Sequence, residues 1–131
     1  EMTKTIYLAG PIDQGQARDM RTTARTALLE RGRALFDPSM GWSVPYGAVP
    51  SPSLQRANVA ALRQCDGLLV YLDPDIMSVG VTIEIVEAVN FGTPVAIWAK
   101  MKPSWALAYL GVPMFDELDD ALSELDRWLH V

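Results

Sequence analysis

Asp66-Gly67-Leu68-Leu69-Val70-Tyr71-Leu72 and, after a short acidic and proline-bearing loop, Ser78-Val79-Gly80-Val81-Thr82-Ile83-Glu84-Ile85-Val86-Glu87 decide the fold of this chain. The first run is apolar almost without interruption and has the length of a strand, the pattern of a strand buried on both faces. The second opens on a small hydroxyl and a glycine and then winds into a helix, expected over about Val81 to Phe91 and broken by Gly92-Thr93-Pro94. A buried strand followed by a helix is the repeating unit of a parallel sheet.

The same alternation extends outward in both directions. Upstream, Lys4 to Ala9 predicts a buried strand ended by Gly10-Pro11, and Gln16 to Arg31 a helix with Met20, Ala24, Ala27, Leu28 and Leu29 toward the core. On that helix Arg18, Arg21 and Arg25 read as a solvated face. Gly32 is a C-cap, Ala34-Leu35-Phe36 a short strand, and Ser53 the cap of a helix running to about Gln64 through Leu54, Ala57, Ala61 and Leu62. Downstream, Val95 to Trp98 predicts another strand, Ser104 to Leu110 a helical turn, Val112 to Phe115 an edge strand, and Asp116 to His130 an amphipathic helix. The expectation is one α/β domain over residues 2–131, with Glu1 set aside. It is a flavodoxin-like, Rossmann-like three-layer sandwich with about five parallel strands. Such sheets bind ligands at the carboxyl edge, where the first and third strands part, which places residues 10–15 and 73–84 together and Asp66 at the opposite edge in a structural role.

Composition narrows the partners. A chain of 131 residues, half hydrophobic and 21% charged, is long enough for one core. Its net charge of −5 argues against a nucleic-acid polymer, which demands a basic stripe, while a small anion needs only a local cradle. Cys65 is the only cysteine, so neither a disulfide within the chain nor a cysteine metal site is expected. No apolar run reaches the roughly 18–20 residues of a membrane helix, and the N-terminus lacks a basic-then-apolar signal; the expected location is the cytoplasm.

The second run gathers backbone N–H groups at a helix N-terminus and plants a carboxylate, Glu84, beside them. Placed in the first turn, Glu84 is expected to stay ionised. Two readings are open for it, a nucleophile or a residue that only complements the helix dipole. Ser78 with the N–H groups of Gly80 and Val81 could hold a phosphate, or Ser78 could be a simple cap. Tyr7 lies near the carboxyl end of the first strand, as a site residue or as an ordinary core tyrosine. Glu87 reads as solvated. His130, the only histidine, caps the last helix, which leaves Ser-His-Asp or metal-histidine chemistry almost no raw material. The segment from Asp37 to Pro52, with four prolines, Trp42 and Tyr46, reads as an ordered lid, with surface packing of Trp42 as the alternative.

Three blocks, in this order and spacing, resemble the nucleoside 2-deoxyribosyltransferase superfamily, including its nucleoside 5′-monophosphate N-glycosidase branch. They are Ile6-Tyr7-Leu8-Ala9-Gly10-Pro11-Ile12, the central run Asp66 to Asp73, and Ser78 to Ile85 followed by Ala88, Gly92 and Pro94-Val95. The resemblance implies that Glu84 attacks C1′ of a (deoxy)ribose, that Tyr7 orients it, and that Gly10, Pro11 and Ile12 line the site. It implies that Ser78, six residues before Glu84, meets a 5′-phosphate at the cradle that includes Gly80, with Ser104 of a neighbouring subunit as a candidate to complete the pocket. Transferases on free nucleosides tend to carry an acid in the loop before the glycine, and Asp73 and Asp75 weigh in that direction. The family usually carries an aspartate that protonates the leaving base at the position of Asn58; Asp13 or Asp37 are the substitutes at hand, or the base needs little help. Val86, where relatives often carry glycine, suggests altered packing behind Glu84. Base contacts are expected from the lid, Asp37 to Pro52, where Phe36, Trp42 and Tyr46 could stack on a ring, with Asp37 and Trp42 counted among the substrate-binding residues.

The implied function is hydrolysis of the base–sugar bond of a (deoxy)nucleoside 5′-monophosphate through a covalent glycosyl-Glu84 intermediate. The alternatives are base exchange on free deoxynucleosides and a nucleotide-binding protein with impaired turnover. No cofactor and no metal are called for. The expected partners are a small nucleotide or nucleoside and further copies of the chain in a dimer or larger homo-oligomer, with the site near the interface; neither nucleic-acid polymer nor membrane is among them.

Overall fold

The computed structural model describes residues 3–11, 15–39, 52–76 and 78–130. Five strands, β1 (Thr5–Ala9), β2 (Ala34–Phe36), β3 (Gly67–Tyr71), β4 (Val95–Trp98) and β5 (Met114–Phe115), form one sheet in the order β2-β1-β3-β4-β5. Every pairing is parallel, with Ala9 opposite Val70 and Tyr71 opposite Trp98. The expected doubly wound α/β sandwich is therefore present. The helices are α1 (Gly15–Glu30), α2 (Pro52–Arg63), α3 (Val79–Phe91), α4 (Trp105–Leu110) and α5 (Leu118–Leu129).

Strand alternation divides the core between two layers. Ile6, Leu8, Leu69, Tyr71 and Ala96 point toward α1 and α5, where Ala17, Ala24, Leu28, Leu122 and Leu125 meet them. Tyr7, Ala9, Leu68, Val70, Val95 and Ile97 point the other way, against Leu62 of α2 and Val81, Ile85 and Ala88 of α3. Both faces of β3 are covered, which is why its sequence shows no polar alternation. None of the described helices is long and apolar enough to cross a membrane.

Several local expectations are corrected. Leu29 is 57% exposed, because it lies about 100° around α1 from the buried Leu28. Arg25 is not simply solvated: its Nε stands 3.6 Å from Oδ2 of the buried Asp37. Ser53 is inside α2 rather than its cap, since the helix starts at Pro52, whose missing N–H costs nothing in a first turn. α3 begins at Val79, two residues early, and Val86 is exposed, so packing behind Glu84 does not depend on it. Gly32 and Gly92 do end their helices in the left-handed region, at φ 76 and 77.

Asp66 sits at the amino edge. Its Oδ2 accepts from Thr5 N at 2.8 Å and its N–H donates to Thr5 O at 2.7 Å, tying the start of β1 to the start of β3. Asp66→Ala is expected to lower the unfolding free energy by about 1 kcal/mol while leaving ligand binding at the far edge unchanged; urea melts beside a binding titration check it.

Candidate active site

The strand order brings β1 and β3 side by side while their following helices leave to opposite faces, the switch point at whose carboxyl ends sheets of this kind bind their ligands. Tyr7 and Glu84 meet there from elements 77 residues apart. The Tyr7 hydroxyl donates to Glu84 Oε2 in a buried hydrogen bond. Both side chains are buried, Glu84 at 6% exposure and Tyr7 fully. The Tyr7 ring stacks on Phe36 with centroids 5.3 Å apart, so one face of Phe36 is committed to Tyr7.

Burial decides the state of Glu84. Because α3 starts at Val79, Glu84 lies in the second turn, where the favourable field of the helix N-terminus has faded. Desolvation raises its pKa from 4.5 to about 7, against the opposing pull of the Tyr7 hydrogen bond. The expectation of a carboxylate ionised throughout is thus overturned: near neutrality, Glu84 titrates. A buried carboxylate is also a stronger partner for positive charge than a hydrated one, since less solvent screens it.

Removing the hydroxyl isolates that pull. With Tyr7→Phe, the pH at which Glu84 ionises is expected to move above 7, because the one interaction that lowers it is lost. A pH titration of Glu84 by NMR, on wild type and variant, checks the direction; an unmoved midpoint would count against the coupling.

The other candidates sort by position. Asn58 is buried on the same face of α2 as Leu62, in the layer that packs against α3. Ser78 stands at the N-cap of α3 with extended backbone, and its side chain makes no cap hydrogen bond. Its carbonyl accepts from Thr82 N and Oγ1, so the backbone is engaged while the hydroxyl is not spent on the helix. Gly80 follows in the first turn. A Cβ there would stand 3.2 Å from Gln55 Oε1, so its missing side chain lets α2 close against the start of α3. Gly10 and Pro11 leave β1 at the switch point, against Tyr71.

Asp37 and Asp73 are both buried, and each organises its own turn at the end of a strand. Asp37 Oδ1 accepts from Ser39 N at 2.9 Å and Oγ at 2.7 Å, and its Oδ2 faces Arg25 of α1. Asp73 Oδ1 accepts from Asp75 N at 2.9 Å. Ser104 is exposed and caps α4, accepting from Leu107 N at 3.3 Å. Ile12, Asp13, Trp42 and Tyr46 lie outside the described residues.

Sequence reasoning missed Gln55, one turn before Asn58 on α2, whose Nε2 is buried without a hydrogen-bond partner. Its i, i+3 spacing from Asn58 was the available signal.

The sequence profile described as nucleoside 2-deoxyribosyltransferase matches residues 6–121. No curated protein sequence matches the chain. Among solved structures it is similar to the 2-deoxyribosyltransferase of Bacillus psychrosaccharolyticus, at 18% identity and TM-score 0.71 over 88% of each chain. It is similar also to the Clostridium botulinum CMP N-glycosidase BcmB, at 18% identity and TM-score 0.62 over 94% of this chain and 99% of that one. A 2-deoxyribosyltransferase from Leishmania mexicana superposes with TM-score 0.68 at 17% identity, over 98% and 99%. With the profile spanning most of its length, the chain belongs to the nucleoside 2-deoxyribosyltransferase family, enzymes that transfer or hydrolyse the glycosyl bonds of small nucleosides and nucleotides.

Proposed function

We propose that the protein hydrolyses the base–sugar bond of a nucleoside 5′-monophosphate. The observation that carries this is Ser78: six residues before Glu84, at the N-cap of a 13-residue helix, with a hydroxyl that makes no cap bond. A phosphate beside it would receive that hydroxyl and the orphan N–H groups of the first turn, Gly80 among them.

In the first step a carboxylate oxygen of Glu84 attacks C1′ and the C1′–N bond breaks, its electron pair leaving with the base, which takes up a proton. Positive charge gathers on the sugar as the bond stretches, and the buried carboxylate stabilises it. Tyr7 holds Oε2, leaving Oε1 for the sugar. In the second step water attacks C1′, the ester bond breaks, and Glu84 is regenerated as a carboxylate with loss of one proton. Asn58 can hydrogen-bond the departing base but has no acidic proton to give it, so the proton comes from water. The active form is a homo-oligomer. Trp105 and Tyr109, each 85% exposed on α4, are the proposed subunit contact, presenting Ser104 to a neighbouring site. Ser104 Oγ accepts from Leu107 N and keeps its hydroxyl proton to donate.

The second reading, base exchange on free deoxynucleosides, is favoured by Asp73, a buried carboxyl group at the same edge that suits an uncharged substrate better than an anion. Incubation with a panel of nucleosides and 5′-monophosphates, with and without a second base, separates the two. Base release confined to monophosphates supports hydrolysis; exchange only with added base supports transfer; binding without release overturns both. Ser78→Asp is expected to weaken monophosphate use by about tenfold or more through charge repulsion while sparing nucleosides; equal loss on both would reduce Ser78 to a cap.

A further inference from the structure

The switch point has a wall that the catalytic pair does not explain. β1 ends at Ala9 opposite Val70, so Gly10 leaves the sheet beside Tyr71, the last residue of β3. Tyr71 is buried to 1% exposure and belongs to the layer of α1 and α5, on the face of the sheet away from Glu84. Its ring covers Gly10 so closely that a Cβ on Gly10 would collide with three ring carbons at its outer end. Its hydroxyl donates to Pro11 O at 2.7 Å. Gly10 has no positive φ among the described glycines, so it is glycine here for space and not for backbone freedom. Pro11 cannot donate from its own nitrogen, and its buried carbonyl finds its donor in Tyr71.

We propose that Tyr71 is a positioning residue: from behind the sheet it pins the Gly10-Pro11 turn across the mouth between β1 and β3, and so sets the wall against which the substrate's sugar lies. The proposal rests on the glycosyl chemistry proposed above and extends it to a residue that cannot itself touch the substrate. Ring and hydroxyl have separate duties. The ring fixes how far the turn can sink toward the sheet, and the hydroxyl fixes the direction of the Pro11 peptide. Losing the hydroxyl loosens the wall and weakens substrate and transition state alike, which raises KM and spares kcat.

Two arms test it. In the first, Tyr71→Phe keeps the ring and removes the bond to Pro11. KM for the preferred nucleotide is expected to rise about 3- to 10-fold, the worth of one hydrogen bond, with kcat within about twofold and the Glu84 titration midpoint unmoved. A lowered melting temperature with unchanged KM would make the residue merely structural and overturn the proposal. In the second arm, Gly10→Ala, Tyr71→Leu and the double variant are melted without any ligand. Gly10→Ala is expected to be strongly destabilising in the wild-type background and nearly neutral beside Tyr71→Leu, whose shorter side chain vacates the outer ring positions. An equal penalty in both backgrounds overturns the pin. Should the wild type release no base from any nucleotide, the hydrolase reading falls, while the melting cycle, which needs no substrate, still decides whether Tyr71 sets the turn.

Discussion

Glu84→Gln is expected to end base release, by about 10⁴-fold or more, and at the same time to make the protein more stable above pH 7. The two effects have one cause. Glutamine is nearly isosteric and still accepts the Tyr7 hydrogen bond, but it cannot form the glycosyl ester. The sign of the stability effect follows from the titration. Glu84 ionises at about 7 in the folded protein against 4.5 ordinarily, so the folded state holds its proton more tightly than the unfolded state. That contribution is fully present below pH 4.5 and is lost as pH rises through 7. Above pH 7 the buried carboxylate therefore costs about 3 kcal/mol, which the amide does not incur. Denaturant melts at pH 5 and pH 8 check this: the variant should gain on the wild type only at the higher pH. Retained turnover would remove Glu84 from the chemistry, and a stability gain equal at both pH values would remove its titration. Wild-type turnover should correspondingly rise with pH to a plateau, with its midpoint near 7, because the nucleophile is the carboxylate.

Asn58→Asp carries the second-largest expected effect, in the opposite direction. A positioned acid that protonates a leaving base is worth about 10²–10⁴ in rate, and asparagine cannot supply it. Position 58 is buried in the α2–α3 layer that also holds Glu84. A carboxyl group introduced there is desolvated and shares the layer with another acid, and both influences keep it protonated near neutrality. The variant is expected to gain about 10²-fold in kcat at pH 7 and to lose that gain at alkaline pH, turning a rising profile into a bell. Single-turnover base release across pH measures it. An unchanged kcat would mean that the base departs without acid help, and a fall would mean that the amide itself holds the base. The substitution buries an additional ionisable group, so a lower melting temperature is expected alongside the gain.

These outcomes bear on how far each residue could be read in advance. β3 was legible because a strand covered on both faces must be apolar at every position, and Leu68, Leu69 and Val70 leave no other element that satisfies them. Gly92 announced the end of α3 for a similar reason, a backbone angle that few other residues adopt. The start of α3 was less legible. Val79 and Gly80 carry no strong start signal, and shifting that start by two residues moved Glu84 from the first turn to the second. Leu29 and Val86 misled because hydrophobic residues also occupy surfaces, and periodicity alone does not say which edge of an apolar stripe is covered.

By itself the sequence determined the alternation of strand and helix, the sheet order that such alternation favours, and the residue types available for chemistry. Those follow from local constraints, namely burial periodicity, turn chemistry and the inventory of acids and hydroxyls. Only the tertiary structure decided that the Tyr7 hydroxyl donates to Glu84 across 77 residues, and that burial rather than the helix dipole sets the ionisation of Glu84. It alone turned Asp37 toward Arg25 and set Tyr71 behind Gly10. The physical reason is common to all four. Desolvation and close contact depend on what lies within a few ångströms in space, and a chain records its neighbours along the sequence while leaving those across the sheet to packing.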